Sequence, residues 1–392
     1  MSRKVLSVLL ATAMTASLLV GCGGSAAAPA ADAAAPAATE EAAPAADAAT
    51  EEAAPAADEA TAGKKVGVAM PTKDLQRWNQ DGSNMEEQLK AAGYEVDLQY
   101  ASNDVQTQVS QIENMINGGC KVLVIAAIDG DSLGTVLAKA KENKIPVIAY
   151  DRLIMNSDAV SYYATFDNYM VGTKQGQYII DQLDLDNADG PFNIEITAGD
   201  PGDNNAKYFY DGAMDLLKPY IDSGKLVVKS GQVDFENVAT ASWSTENAQN
   251  RMDSIISANY ADGTQLDVCL CSNDSTAYGV TNSLVANYEK NHPGQWPIIT
   301  GQDCDKLNVI NMINDKQSMS IFKDTRTLAT KVVGMVDAIM KGTTPETNDT
   351  STYDNGVKVV PSYLCEPVFA DKNNYKELLI DSGYYTEADL QQ

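Results

Sequence analysis

From Lys65 onward, short runs rich in apolar and β-branched residues alternate with amphipathic segments of helix length, and this alternation constrains the fold more than any other feature. Strand-like runs at 65–70, 95–100, 122–128 and 145–150 are separated by helical segments near 80–92, 105–117 and 133–143. After a further run at 160–166 the pattern restarts, with helices expected near 168–183, 206–217, 245–258, 276–287 and 307–314. Alternation of this kind is the mark of βαβ units and a parallel sheet. At roughly 150 residues per domain the folding part has the length of two domains. An α/β architecture of two doubly wound lobes therefore fits better than one very wide sheet.

The apolar runs end abruptly in polar residues. Residues 145–150 stop at Asp151-Arg152, 269–272 at Asn273-Asp274, 298–301 at Gln302-Asp303, 192–199 at Asp200 and 318–322 at Lys323-Asp324. In an open α/β sheet the ligand crevice lies outside the carboxyl ends of the strands, so these side chains face whatever is bound. A carboxylate accepts from two neighbouring hydroxyls, an Arg donates through a planar fork, and an Asn does both. That is the chemistry of polyol recognition. One Arg, one Lys and several Asp at these ends suit neutral pentoses, hexoses or a uronate.

The first residues read as an export leader: Arg3-Lys4, then an apolar stretch at 5–20 that is short for a spanning helix, which needs about 20 residues. It ends in Leu19-Val20-Gly21-Cys22, which resembles the lipobox of bacterial lipoproteins and marks Cys22 as the lipidated first residue after cleavage of 1–21. An ordinary secretory leader, with Cys22 incidental, is the plainer alternative. Residues 22–63 form an Ala/Pro/Glu tether without bulky apolar residues, which cannot offset its own ordering entropy and should extend by self-repulsion. The chain carries a net charge of −26, which argues against nucleic acid and anionic lipid as partners. Of its six cysteines, the five beyond Cys22 sit mostly in or beside strand-like runs and read as core thiols, with no metal-ligand spacing among them.

Two motifs suggest other chemistry. Gly130-Asp131-Ser132-Leu133-Gly134 matches the nucleophile elbow G-x-S-x-G between a strand and a helix, which would make Ser132 the nucleophile of a surface esterase. The chain holds one histidine, His292, in the turn-like Asn291-His292-Pro293-Gly294, and nothing in the sequence brings it to Ser132. The plainer reading makes Ser132 a helix cap in a Gly-rich loop. Asp184, Asp186 and Glu195 fall at three positions of a calcium-loop template, but Ala188 occupies a ligand position and the glycine, Gly190, comes one place late. Trp78 and Trp243 lie in polar, loop-like surroundings and either plug a lobe surface or offer platforms for the C–H face of a sugar ring; Trp296 reads as structural.

Short segments spread along the body carry a family resemblance. They are Gln76-Arg77-Trp78, Ala149-Tyr150-Asp151-Arg152, Gly199-Asp200 with Asn204-Asn205-Ala206, Trp243 with Ala248-Gln249, Ser272-Asn273-Asp274, Gly301-Gln302-Asp303 and Phe322-Lys323-Asp324-Thr325-Arg326. In order and spacing they resemble the type I periplasmic sugar-binding proteins of ABC importers, the family of ribose, xylose and galactose receptors. The resemblance implies a periplasmic-binding-protein type I fold, two Rossmann-like lobes joined by a three-segment hinge, with crossings near 166–167, 323–325 and 353–359. It divides the body into an N-terminal lobe of 64–166 plus 325–357 and a C-terminal lobe of 167–324 plus 358–392. It implies ligand contacts from Arg77, Trp78, Asp151 and Arg152 on the first lobe, Asn205, Trp243, Asn273 and Asp303 on the second, and Lys323 at the hinge. It further implies a monosaccharide ligand, an ABC permease as partner, a monomer without cofactor or metal, and no catalysis. A sensory subunit presenting sugar to a membrane receptor would use the same closed surface.

Overall fold

The computed structural model describes residues 63–391; the leader, Cys22 and nearly all of the tether lie outside the described residues. The first lobe begins with β1 (Lys65–Met70), α1 (Gln76–Ala91), β2 (Glu95–Tyr100), α2 (Val105–Asn117), β3 (Val122–Ile125), α3 (Gly134–Glu142), β4 (Val147–Tyr150) and β5 (Val160–Phe166). Strands β3 and β4 are buried at every position, because the sheet is covered by helices on both faces. One face packs on α2 and α3 through Ile112, Leu123 and Leu137, the other on α1 through Met85 and Leu89.

The second lobe follows with α4 (Asn168–Leu183), β6 (Phe192–Thr197), α5 (Asn204–Asp222), β7 (Leu226–Val227), α6 (Phe235–Val238), α7 (Thr245–Asn259), β8 (Val268–Cys271), α8 (Asp274–Asn287), β9 (Ile298–Ile299), α9 (Lys306–Ile313) and β10 (Met319–Phe322). Its sheet runs β7-β6-β8-β9 in parallel, and a parallel bridge between Gln302 and Ile321 sets β10 beside the continuation of β9. Helices α4 and α5 cross so closely that a Cβ on Gly172 would stand 2.0 Å from the Phe209 carbonyl oxygen. Only glycine permits that approach, which seats the start of α5 under the cleft.

The chain then returns. Helix α10 (Thr325–Met340) packs on the first sheet with Leu328 and Val332, β11 (Ser362–Cys365) pairs in parallel with β5, and β12 (Val368–Asp371) pairs antiparallel with β10. The first sheet is therefore β11-β5-β4-β3-β1-β2. This corrects the assignment of 358–392 to the second lobe: Ser362–Cys365 completes the first sheet, and the last crossing falls after Cys365 instead of at 353–359. The cause is local. Residues 354–359 form a turn closed by an Asp354–Val359 bridge, and Tyr353 and Val360 both bury in the first lobe's core.

A second difference concerns Trp78. The segment read as a loop is the first turn of α1, which starts at Gln76 and not near residue 80. Leu75 supplies no capping side chain, so the usual start signal is missing; an Arg77–Asp81 pair one turn apart, 2.9 Å, braces that turn instead.

The remaining motifs settle into structural roles. Ser132 does not cap α3, whose N-cap is Leu133 with no side-chain bond. His292 is buried in the second lobe, stacked on Tyr288 at 3.8 Å with Nδ1 3.0 Å from the Tyr288 carbonyl, whereas Ser132 lies in the β3–α3 loop of the first. Glu195 is buried and takes hydrogen bonds from Ser230 and Tyr260, while Asp186 accepts from Tyr220 at 2.6 Å. Cys120, Cys269, Cys271, Cys304 and Cys365 are all buried free thiols.

Candidate functional site

The carboxyl ends of β4, β8, β9 and β10 converge with the first turn of α1 on a cavity between the lobes. Its wall includes Arg77, Trp78, Asp151 and Arg152 from the first lobe, and Trp243, Asn273, Asp303 and Lys323 from the second lobe and hinge. Two of these residues leave their strands in the left-handed region, Asp151 at φ 58° and Asp303 at φ 100°. That backbone is costly for a residue with a Cβ and is typical of functional sites; here it turns both carboxylates into the cleft.

Arg77 is the hub of the charges. Its Nε donates to Asp81 at 2.9 Å, one terminal nitrogen to Asp151, and the other to Asp303 across the cleft at 3.3 Å. Lys323 lies 3.1 Å from the same Asp303 oxygen and 3.9 Å from Asp151. Burial pushes the Asp151 carboxyl up, but Arg77, Lys323 and Arg152 outweigh it and hold the group below the ordinary carboxylate range. Asp81 is raised, because burial and Asp151 outweigh Arg77. Burial alone would lower the Arg77 pKa, and the three carboxylates reverse that. The ions are thus paired with one another, as buried charges must be.

Arg152 lies 2.9 Å from Asp203 through Nε, but that N–H is not aimed at the carboxylate and makes no hydrogen bond; its Nη1 donates to the carbonyls of Ala127 and Ile128. Burial, with Asp151 assisting, keeps Asp203 raised despite Arg152. The guanidinium carbons of Arg77 and Arg152 stand 5.0 and 5.1 Å from the Trp78 ring centre, close enough for cation–π attraction. Trp243 donates from Nε1 to Asp203 at 3.2 Å. Asn273 caps α8 by accepting from the Thr276 N–H at 3.0 Å, which fixes the side chain at the cavity wall.

Asn205 is the one expected contact that does not line the cavity. Its Nδ2 donates to the Asp151 carbonyl at 2.5 Å and its Oδ1 sits 2.9 Å from the Tyr163 hydroxyl, so it supports the Asp151 turn from behind. Sequence reasoning missed Leu75, Asp203, Phe209, Ser275 and Asp305, all of which line the cavity, and it named Gln302, which also lines it, as a strand-end residue without assigning it to the ligand. Asp203 and Asp305 lie within a few residues of strand ends already singled out, and that proximity was the available signal.

Gly199 sits against the Trp243 indole so tightly that a Cβ would fall 1.9 Å from a ring carbon. A Gly199→Ala substitution is therefore expected to drive the indole off its seat and break its bond to Asp203. Tryptophan emission should shift to the red and become more open to acrylamide quenching; an unchanged spectrum would mean the seat is looser than the geometry implies.

Comparison with known proteins agrees with this architecture. Residues 66–344 match the model of the periplasmic binding protein domain. The chain is 54% identical over 320 residues to the multiple sugar-binding periplasmic receptor ChvE of Rhizobium radiobacter, covering 82% of this chain and 90% of that protein. It is 51% identical over 323 residues to the multiple sugar-binding periplasmic protein SbpA of Azospirillum brasilense, at the same coverage. A crystal structure of an ABC transporter solute-binding protein from Clostridium phytofermentans with bound β-D-glucose superposes with a TM-score of 0.82 at 76% identity, covering 84% of this chain and 100% of that one. The chain belongs to the periplasmic binding proteins, as a type I member of their sugar-binding branch.

Proposed function

We propose that this protein is an extracytoplasmic receptor that captures a neutral aldopyranose, D-glucose foremost, between its lobes and delivers it to an ABC permease. The observation that carries the reading is the wall itself: buried forks and carboxylates from both lobes, flanked by Trp78 and Trp243, in a chain 76% identical to a protein holding β-D-glucose. Arg77, Trp78, Asp151, Arg152, Trp243, Asn273, Asp303 and Lys323 are assigned to the ligand, with Asn205 holding Asp151 in place. Hydrogen bonds to charged groups are worth ~1.5–3 kcal/mol each, and unmatched buried ones cost about as much, which is how hydroxyl stereochemistry is read. A monosaccharide of roughly 12 heavy atoms bound at micromolar strength needs about 0.7 kcal/mol per atom, within the ceiling for small ligands.

The charge balance selects among sugars. Arg77, Arg152 and Lys323 already face Asp81, Asp151, Asp203 and Asp303, so a uronate carboxylate would find each cation taken and several anions nearby. Because the walls belong to two lobes joined by a hinge, ligand favours the closed form, and a permease that prefers that form distinguishes loaded receptor from empty. Lipidation at Cys22 would tether the body to the membrane, two or more acyl chains giving stable anchoring. Catalysis by Ser132 finds no support, since His292 is stacked on Tyr288 in the other lobe.

A thermal-shift series with glucose, galactose, xylose and arabinose is expected to raise the melting temperature with at least one sugar, by the mass action of a ligand that binds only the folded state. No shift with any of them would reject the reading.

A further inference from the structure

Two buried acceptor atoms in the second-lobe wall have no partner in the protein: Gln302 Oε1 and Asp305 Oδ1. Both residues line the cavity. Gln302 is 1% exposed, and its Nε2 donates to the Ser272 carbonyl at 3.0 Å, which assigns the amide so that Oε1 can only accept. Asp305 follows two left-handed residues, Asp303 and Cys304, and its own N–H donates to Asp274 at 2.8 Å, so the loop that presents it is pinned. Buried acceptors left unmatched are destabilising, and two in one wall call for a donor from outside the chain.

We propose that Gln302 and Asp305 read one hydroxyl edge of the bound sugar, as acceptors that require an O–H donor there and reject deoxy, fluoro and O-methyl forms at that ring position. The inference rests on the cavity being the site of a neutral aldopyranose and deepens that reading. Burial, then the charge of Asp303, pushes the Asp305 carboxyl up to about 7. The groups facing it are Asp303 on its own loop, Asp274 at the start of α8, Arg77 from α1, Lys323 from the hinge and Tyr385 from the C-terminal segment. A hydroxyl donating to the carboxylate favours its ionised form, so sugar affinity rises as the pH crosses about 7.

Calorimetry with D-glucose and its single-deoxy forms tests this on the intact protein. The unsubstituted protein should lose about tenfold or more in affinity for one deoxy form. Asp305→Ala and Gln302→Met should each weaken glucose by a similar factor yet show little further loss on that same deoxy form. The Met variant leaves Ser272 its second donor, Gln175 at 3.2 Å. Asp305→Asn, which keeps the shape, should abolish the rise in affinity near neutral pH. Variants that weaken glucose and every deoxy form alike, or a pH profile unmoved by Asp305→Asn, would overturn the proposal and leave these residues as supports. Glucose bound with no preference over any deoxy form would defeat this proposal alone, whereas absence of glucose binding by the unsubstituted protein would defeat the receptor reading beneath it.

Discussion

An Asp303→Ala variant is expected to bind glucose roughly 100-fold or more weakly than the unsubstituted protein, the effect of removing about two hydrogen bonds that involve charged groups. Asp303 is the residue on which the two jaws meet. One of its oxygens receives Arg77 from the first lobe and Lys323 from the hinge, and its backbone is held at φ 100° by the bond from its N–H to the Ile321 carbonyl at 2.8 Å. Without the carboxylate, Lys323 loses its nearest ion-pair partner among the described residues and is left with Asp151 at 3.9 Å as its remaining ion pair there, Arg77 loses its link across the cleft, and a sugar hydroxyl loses its acceptor. Calorimetric titration reads the loss, and circular dichroism should show the lobes still folded. Affinity within tenfold of the unsubstituted protein would mean that Asp303 braces the empty cleft and leaves the ligand alone.

The second large effect falls on stability. Arg77→Met is expected to destabilise the protein by about 3–5 kcal/mol near neutral pH, because breaking a buried ion cluster leaves uncompensated charge. The loss should depend on pH with a definite sign. In the intact protein Asp151 sits below the ordinary carboxylate range, so its contribution is present above the unfolded pKa and is lost as pH falls through the folded one. Removing Arg77 takes away the strongest opponent of burial at both Asp151 and Asp81. Both carboxyls then rise, and the variant gains relative stability on acidification as they protonate. Urea unfolding at about pH 7.5 and about pH 4.5 should show the deficit shrinking at the lower value, since both lie above the ordinary range near ~3.9. An equal deficit at both would place the damage in packing against Trp78 instead of in charge.

The fold was largely legible because strand and helix differ in period and length, and the strand ends were legible because apolar runs of four to six residues stop at polar ones. Asp151, Asn273, Asp303 and Lys323 were found in this way. Asp305 was not, since its reach into the cleft depends on left-handed backbone at Asp303 and Cys304, which no glycine or asparagine announces. Arg77 came from family resemblance and Trp78 from its polar surroundings as well, while their helix start went unread, as Leu75 carries no cap. Asn205 was placed in the wall by the family resemblance; in the structure the Asp151 carbonyl reaches it first. The last hinge crossing, carried over from the family resemblance, was set too early because the short β11 beyond 353–359 gains its identity only by pairing with β5.

The central claim is a cleft whose buried charges are mutually paired and therefore select a neutral sugar. Calorimetric titration of D-glucose against D-glucuronate at neutral pH tests it most directly. The account predicts saturable one-to-one binding of glucose at about micromolar strength and glucuronate at least tenfold weaker. Glucuronate binding as tightly as glucose, or no heat from glucose, would contradict it.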